Sequence, residues 1–231
     1  MKNDLTGIIC AMPLEMEGLR AQMTEMTSET VSGIEFVRGK IGSSPVVTAV
    51  CGVGKVFAAL CAQTMILRYA PACVINTGVA GSLSPDLTIG NIAIARDVVQ
   101  HDMDTSPLGD PVGLLSGINI VNIPADQALC EALTKSALAC GLTVKGGTVA
   151  TGDQFICSAE KKAFIRDTFG AVACEMEGGA IGHVCYVNKM PFAILRAISD
   201  GGDDEASMDY PTFARMAAAN SVRVLVDFLN S

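Results

Sequence analysis

Acidic side chains follow several apolar runs of this sequence, at points where a buried strand is expected to end. Four of them are Glu15, Glu175, Glu177 and Asp200. A carboxylate beside apolar residues costs free energy unless it is paired or used in chemistry. A carboxyl group whose pKa is moved towards neutrality by burial can act as a general acid or a general base. The pattern therefore indicates acid–base chemistry.

Two of these carboxylates also have a purely structural interpretation. Glu15 lies in the first turn of a predicted helix, where the helix dipole favours an acidic residue without any catalytic role. Asp200 follows the apolar run Phe192–Ile198, which only Arg196 interrupts, so a structural Arg196–Asp200 ion pair or a helix cap is the alternative. Position favours the functional interpretation, because ligands bind beyond the carboxyl ends of strands in open parallel sheets.

Short apolar runs alternate with longer stretches of helical periodicity, which is typical of an α/β protein. The predicted strands are Leu5–Ala11, Pro45–Cys51, Cys73–Thr77, Asn91–Ala95, Thr143–Ala150, Ala171–Glu175 and Phe192–Ile198. The predicted helices are Pro13–Met23, Gly54–Tyr69, Ala125–Cys140, Ala159–Phe169, Gly178–Asn188 and Phe213–Leu229. Strands this apolar are buried on both faces, and helical crossovers make most neighbours parallel. We expect one domain over residues 1–231, with a mixed, mostly parallel sheet flanked by helices.

The composition argues against several classes of function. The sequence has 16 basic and 24 acidic residues, a formal net charge of −8, and 50% hydrophobic residues. Nucleic-acid binding needs clustered cations, so we expect no nucleic-acid partner. No stretch approaches the roughly 18 consecutive apolar residues of a membrane helix, and no secretory signal is apparent. We therefore expect a cytoplasmic protein without a membrane partner.

The cysteines and histidines do not form a pattern for metal binding. The nine cysteines are scattered without a Cys-x-x-Cys pair, and there are only two histidines. Zinc sites need closely spaced cysteine and histidine ligands, so we expect no metal and no cofactor. Gly52-Val53-Gly54-Lys55 resembles a phosphate-binding loop, but it lacks the hydroxyl residue after the lysine and the earlier glycine. It predicts a tight turn from strand to helix instead.

Six short motifs occur in an order that points to a known family. They are Ala-Met-Pro-Leu-Glu-Met-Glu (11–17), Val-Gly-Lys-Val (53–56), Asn-Thr-Gly-Val-Ala-Gly (76–81), Thr-Gly-Asp-Gln-Phe-Ile (151–156), Cys-Glu-Met-Glu-Gly (174–178) and Arg-Ala-Ile-Ser-Asp (196–200). Over nearly its whole length the sequence resembles the nucleoside phosphorylase superfamily and, within it, the 5′-methylthioadenosine/S-adenosylhomocysteine nucleosidases. The resemblance implies a homodimeric hydrolase that releases adenine from these nucleosides without a cofactor.

The resemblance also implies the two catalytic residues. Asp200 is similar to the general acid that protonates N7 of the departing adenine, with Ser199 orienting it. Glu15 is similar to the base that activates the water nucleophile, with Arg196 nearby. An acid on the leaving-group side and a base on the other face is the arrangement of inverting glycosidases. Asp200 then needs a pKa raised by burial, whereas Glu15, at a helix start, is expected to stay ionised.

Five further residues are implied to bind substrate. Glu177 resembles the carboxylate that binds the ribose hydroxyls, and Met176 the residue that packs on the sugar. Phe155 is expected to stack on the purine, and the backbone of Ile156 to contact its Watson–Crick edge. Gly81 is expected to approach the base or the sugar through its backbone.

Three positions depart from the family pattern and bear on specificity. Val79 stands where relatives often carry a hydroxyl residue, and Thr105 and Leu108 stand where relatives often carry larger apolar residues. The last two lie in Gln100–Gly117, a long irregular stretch rich in Pro, Gly and Asp. Long loops in compact domains are often functional. We expect this loop to help close the pocket of a neighbouring subunit.

Three alternatives remain open at this point. A phosphate-dependent purine nucleoside phosphorylase has the same fold, but Glu15 and Asn76 stand where phosphorylases carry arginines, and a carboxylate repels phosphate. A nucleosidase acting on aminodeoxyfutalosine would need the same acid and base. A non-catalytic nucleoside-binding module is the third, since fold alone does not fix function.

Overall fold

Most helices and strands form where apolar periodicity predicts them. The computed structural model describes residues 4–201 and 206–231. Its strands are β1 (Thr6–Cys10), β2 (Thr24–Val31), β3 (Ile34–Ile41), β4 (Ser44–Val50), β5 (Cys73–Ser82), β6 (Ile92–Gln100), β7 (Ile123–Pro124), β8 (Val144–Thr151), β9 (Ala171–Glu175) and β10 (Phe192–Asp200). Its helices are α1 (Pro13–Arg20), α2 (Lys55–Tyr69), α3 (Gln127–Ala139), α4 (Ala159–Phe169), α5 (Gly178–Val187) and α6 (Ala206–Asn230), with a 3₁₀ turn at Ser106–Leu108.

The described strands form one mixed sheet. The order is β10-β6-β8-β9-β5-β1-β4-β3-β2, with β7 on β6 and a further pairing of β5 with β10. This last pairing closes β10, β6, β8, β9 and β5 into a ring. Two groups of strands, β4-β1-β5-β10 and β6-β8-β9, are parallel within themselves. The α/β fold with a mixed sheet flanked by helices is thus as the sequence predicts.

The two parallel groups meet through antiparallel pairs, and one of these pairs determines where the site forms. In the pair β5–β9, Gly81 lies opposite Cys174 and Ser82 opposite Ala173, near the carboxyl ends of both strands. Because each group keeps its strands parallel, this pairing brings the carboxyl ends of both groups to one place. That is where ligands are expected in such sheets.

Residues 24–41 form a β-hairpin that the sequence pattern did not predict. Strand β2 is polar and largely exposed, so it lacks the apolar run by which the other strands were recognised. The usable signal was the turn between the strands, Ser32-Gly33, where both residues have a positive φ (52° and 77°). Two consecutive residues of this kind form the turn that joins hairpin strands.

Some elements are shorter than predicted, such as α1, which ends at Arg20 instead of Met23, and others are longer. Strands β5, β6 and β10 continue beyond their predicted ends at Thr77, Ala95 and Ile198. Glycine in β5 lowers the local strand signal, but neighbouring strands pair with it along its length. Helix α6 begins at Ala206 rather than at the predicted Phe213, and it contains Pro211. Proline usually marks a helix boundary because it lacks an N–H.

Apart from α4, whose Ile165 packs in a third, smaller cluster, the helices cover the sheet in two groups with separate apolar cores. Helices α2 and α5 pack together over one cluster, and α1, α3 and α6 over the other. The buried cysteines contribute to these clusters as small apolar side chains and carry no disulfide. Over residues 4–201 and 206–231, no helix combines the length and the hydropathy needed to cross a membrane.

Leu225 provides a test of this packing. This residue of α6 has a fully buried side chain, which lies in the cluster that also holds Leu133 of α3 and Leu195 of β10. We expect Leu225→Ala to lower the free energy of unfolding by about 3 kcal/mol, because it removes apolar contacts and leaves a cavity. Leu138→Ala is the control, since Leu138 of α3 is 59% exposed. Equilibrium denaturation with urea measures both; equal losses would contradict the assignment of this core.

Candidate active site

A cavity of about 390 Å³ opens at the place where the two groups of strands converge. All seven residues that the sequence predicts as catalytic or substrate-binding line it: Glu15, Gly81, Phe155, Ile156, Met176, Glu177 and Asp200. They come from α1, β5, β10, the segment after β8 and the turn between β9 and α5. The fold therefore brings together every member of the predicted set.

Glu15 is held by backbone donors in the first turn of α1. Its Oε2 accepts the N–H groups of Ala11 (3.0 Å) and Met12 (2.8 Å), and its Oε1 accepts the N–H of Val79 (3.0 Å). The side chain of Val79 itself is apolar and lines the cavity. Pro13 starts the helix directly after β1, and a glutamate three residues after the cap is typical of such a start.

Burial raises the pKa of Glu15, against the opposing effects of Arg196 and of the backbone N–H groups. The residue is 4% exposed, so water cannot solvate its charge freely. Three N–H donors and the helix N-terminus favour the ionised form, but burial outweighs them, so the ionised state expected for Glu15 stays a prediction. A glutamate with a raised pKa is a stronger proton acceptor than an exposed one, which suits a general base.

Arg196 is fully buried at the centre of β10 and pairs with Glu175. Its Nη2 donates to Glu175 Oε2 and to Asn76 Oδ1 (2.5 Å), and lies 3.9 Å from Glu177 Oε2. The ion pair of Arg196 is therefore with a carboxylate of β9, in place of the Arg196–Asp200 pair considered as the alternative. The guanidinium of Arg196 also lies close to Glu15. Both groups border Gly78, where an added Cβ would stand 2.6 Å from Glu15 Oε1 and 3.0 Å from Arg196 Nη1.

Glu175 has a structural role beside the cavity. Its Oε2 accepts the N–H groups of Glu177 (2.9 Å) and Gly178 (2.7 Å), and Thr151 donates its hydroxyl to Oε1. Burial alone would raise the pKa of Glu175, but the charge and hydrogen bonds of Arg196 outweigh it and the pKa is lowered. Glu175 is thus an ionised acceptor that fixes the start of α5.

Glu177 is the second glutamate of the Glu-Met-Glu motif, and its environment shifts its pKa in the direction opposite to that of Glu175. Its Oε1 accepts the N–H of Gly54 (2.8 Å), and its residue is 6% exposed. Burial and the nearby charge of Glu175 raise the pKa of Glu177 to about 7, against the attraction of Arg196. A carboxylate with few protein partners that lines a cavity is suited to accept hydrogen bonds from a ligand.

Asp200 ends β10 beside Ser199. The residue is 3% exposed, and Ser199 Oγ donates to its Oδ2 (2.8 Å). The register against β5 shifts between Ile198 and Asp200, which places Asp200 opposite Gly81. Such irregularities redirect side chains next to active sites. The raised pKa expected for Asp200 stays a prediction.

Aromatic side chains form the outer wall of the cavity. Phe155 is 45% exposed and lies edge to face against Tyr210, with ring centroids 5.6 Å apart. The hydroxyl of Tyr210 donates to the sulfur of Met12 (3.0 Å). Tyr210 lines the cavity but was missed in the sequence, because α6 was expected to begin only after Pro211. An aromatic residue next to that proline was the available signal.

Comparison with known proteins places the chain in a family. The model of the phosphorylase superfamily matches residues 6–230. A 5′-methylthioadenosine/S-adenosylhomocysteine nucleosidase of Shewanella loihica is 37% identical over 226 residues, covering 96% of this chain and 97% of the relative. A protein of the same name from Shewanella baltica is 38% identical over 230 residues, covering 97% of each.

Solved structures agree with these relatives. The crystal structure of the nucleosidase of Neisseria meningitidis in complex with methylthio-immucillin-A has a TM-score of 0.94 and 33% identity, with 98% of each chain covered. A structure named futalosine hydrolase, from Helicobacter pylori, has a TM-score of 0.94 and 32% identity, covering 98% of this chain and 97% of the other. The chain belongs to the phosphorylase superfamily and, within it, to the 5′-methylthioadenosine/S-adenosylhomocysteine nucleosidases.

Proposed function

We propose that this protein hydrolyses the N-glycosidic bond of 5′-methylthioadenosine and S-adenosylhomocysteine and releases adenine. The observation that carries the proposal is that two buried carboxyl groups, Glu15 and Asp200, line one cavity in a chain of the nucleosidase family. The reaction consumes water and yields free adenine and a free thioribose. It needs two proton transfers and no cofactor.

Asp200 acts as the general acid. Adenine is a poor leaving group until a ring nitrogen is protonated, so an acid near N7 lowers the barrier to its departure. Burial at the end of β10 supports the protonated form of Asp200, because a carboxylate is poorly solvated there. Ser199 donates to Oδ2 and thereby fixes the orientation of the carboxyl group.

Glu15 acts as the base that binds and activates water. Departure of adenine leaves positive charge on the sugar, similar to an oxocarbenium ion, and water attacks the anomeric carbon. Three backbone donors hold the Glu15 carboxylate in one orientation, so it can accept the proton of that water without rearranging. The charge of Arg196 favours the ionised form of Glu15 before the proton arrives.

The remaining site residues bind the nucleoside. Glu177 accepts hydrogen bonds from the ribose hydroxyls, and Met176 packs on the sugar. Phe155 stacks on the purine, where its exposed ring offers an apolar face. The backbone of Ile156 contacts the Watson–Crick edge, and the backbone of Gly81 lies close to the base or sugar.

A futalosine-type nucleoside is the second candidate substrate. The Helicobacter pylori structure named futalosine hydrolase is as similar to this chain as the nucleosidase structures are. The acid, the base and the ribose carboxylate would serve either substrate, since only the 5′-substituent differs. Competition between aminodeoxyfutalosine and methylthioadenosine in one reaction measures the preference directly, as a ratio of kcat/KM values.

We also propose a cytoplasmic homodimer. Apolar side chains lie on the outer surface of α2 and α5, including Val56 (79% exposed), Phe57 and Val187. Burial of such a surface favours association of a second copy. The loop Gln100–Gly117 contributes no described residue to the cavity of its own chain, and Leu108 is 84% exposed on it. This loop reaches the pocket of the partner in the proposed dimer.

Replacement of Asp200 tests the general acid. We expect Asp200→Asn to lower kcat by at least ~10²-fold, because the amide cannot protonate adenine. Binding of methylthioadenosine should change little, since the amide keeps the shape of the carboxyl group. Single-turnover kinetics and calorimetric titration separate the two effects. A variant with wild-type kcat would remove Asp200 from the mechanism.

The nucleophile distinguishes hydrolysis from phosphorolysis. Glu15 repels anions and accepts a proton from water, so the rate of adenine release should not depend on phosphate. Product analysis in buffers with and without phosphate should give a free thioribose in both. Glu15→Gln should slow turnover far more than it weakens binding, because it removes the proton acceptor. Formation of a sugar 1-phosphate would overturn both the hydrolase assignment and the role of Glu15.

The raised pKa of Glu177 predicts a pH-dependent stability. The pKa of Glu177 is about 7 in the folded protein, whereas its ordinary value is 4.5. Between pH 4.5 and about pH 7, Glu177 is therefore protonated in the folded protein and ionised in the unfolded chain. Stability is therefore lost as pH rises through this window, by about 3 kcal/mol at most. We expect Glu177→Gln to have a higher Tm than the wild-type protein at about pH 8. At about pH 5 most of this difference in Tm should disappear. An equal gain at both pH values would contradict it.

Sedimentation velocity tests the dimer. We expect the wild-type protein to sediment as a dimer at assay concentrations, and Val56→Glu to dissociate it, because a charge would be buried in the interface. Leu138→Glu is the control, since Leu138 is exposed on α3, away from α2 and α5. An active wild-type monomer would rule out a pocket completed by the partner.

A further inference from the structure

The turn Gly52–Lys55 binds two carboxylates of its own chain. Gly54 N–H donates to Glu177 Oε1 and Lys55 N–H donates to Asp153 Oδ1, both at 2.8 Å. The first N–H groups of a helix lack partners within the helix and favour anions. Gly52 and Gly54 have φ values of +95° and +100°, which side-chain-bearing residues rarely adopt. The turn resembles a phosphate-binding loop in sequence, but its N–H groups donate to carboxylates of the same chain.

Three residues close a ring of interactions around this turn. The side chain of Asp153 accepts the backbone N–H of Lys55, and the backbone N–H of Asp153 donates to Asp102 Oδ2 (2.9 Å). The ring is completed by an ion pair between Lys55 Nζ and Asp102 Oδ1 (2.6 Å). Both side chains of this pair are less than 20% exposed (19% and 18%), so solvent screens the pair less than a surface one.

The ring favours the ionised form of Asp102. Burial alone would raise the pKa of Asp102, but the hydrogen bonds from Lys55 and from the N–H of Asp153 outweigh it and lower this pKa. Lys55 Nζ also donates to Gln100 Oε1 (3.3 Å), which extends the ring to the end of β6. The ring therefore connects the segment after β6 and the segment after β8 to the N-terminus of α2.

We propose that Lys55, Asp102 and Asp153 are positioning residues that set how tightly the nucleoside is bound. None of the three lines the cavity, so they act through their neighbours. Asp153 precedes Phe155 in the segment assigned to the purine, and the same helix N-terminus holds Glu177, assigned to the ribose. This inference rests on the proposed function and deepens it, because it assigns the residues that hold both binding elements in register.

Loss of the ring should weaken binding more than chemistry. The segment 153–155 is exposed, and without its attachment to α2 it would have to be ordered by the ligand at an entropic cost. Glu15 and Asp200 are held by other contacts, namely backbone N–H groups and Ser199. We therefore expect a change in KM with a much smaller change in kcat.

The primary test is Lys55→Gln in the full-length protein. We expect KM for methylthioadenosine and the Kd for adenine to rise ~10-fold, with kcat within about 3-fold of wild type. Asp153→Ala should raise both constants similarly, and the double variant should add little, because the residues act as one unit. Lys55→Arg should lie closer to wild type, since it keeps the ion pair.

The control is Lys40→Gln, which removes an exposed ion pair with Glu25 in the hairpin and should leave both constants unchanged. A lowered Tm with unchanged KM and Kd in Lys55→Gln and Asp153→Ala would show a merely structural ring and overturn the proposal. Calorimetry with adenine keeps the two proposals separate. If wild type binds adenine but releases none from nucleosides, the proposed function fails while the Kd comparison still decides the ring; if wild type does not bind adenine, both fail.

Discussion

The buried ion pair between Arg196 and Glu175 is the interaction on which the geometry of the site depends. Arg196 lies in β10 and Glu175 ends β9, and Asn76 of β5 contacts the same guanidinium nitrogen. Removal of either partner would leave a buried charge without compensation, which typically costs 3–5 kcal/mol. Because Glu175 also accepts the first N–H groups of α5, the pair fixes the backbone of Glu177 as well.

The carboxyl groups of the site differ in pKa because their environments differ, not because their residue types differ. Glu175, paired with Arg196, has a lowered pKa, whereas burial raises the pKa of Glu177 and of Glu15. One guanidinium therefore neutralises only part of the acidic charge around the cavity. This surplus of acidic groups disfavours phosphate and leaves proton acceptors available for water and for ribose hydroxyls. The same acidic surplus accounts for the proposed preference for hydrolysis over phosphorolysis.

Local sequence patterns predicted most of the fold but not the boundaries of every element, and the seven residues implied by the family motifs all line one cavity. The apolar runs of β1, β9 and β10 are buried on both faces, so their signal was strong. Strand β2 is polar and exposed, and its pairing with β3 provides what its own composition does not. Tyr210 was missed for a similar reason, since Pro211 marks a helix boundary locally while α6 continues through it.

The sequence by itself determined which residues could do chemistry, because residue type, apolar periodicity and family motifs are all local properties of the chain. Only the tertiary structure decided which partner each of them has. Arg196 pairs with Glu175 rather than with Asp200, and the turn at Gly54 holds Glu177 and Asp153 instead of a phosphate. These choices depend on the antiparallel pairing of β5 with β9, which joins the carboxyl ends of two parallel groups. Strand order is a long-range property, since it is set by packing between segments that are distant in the sequence.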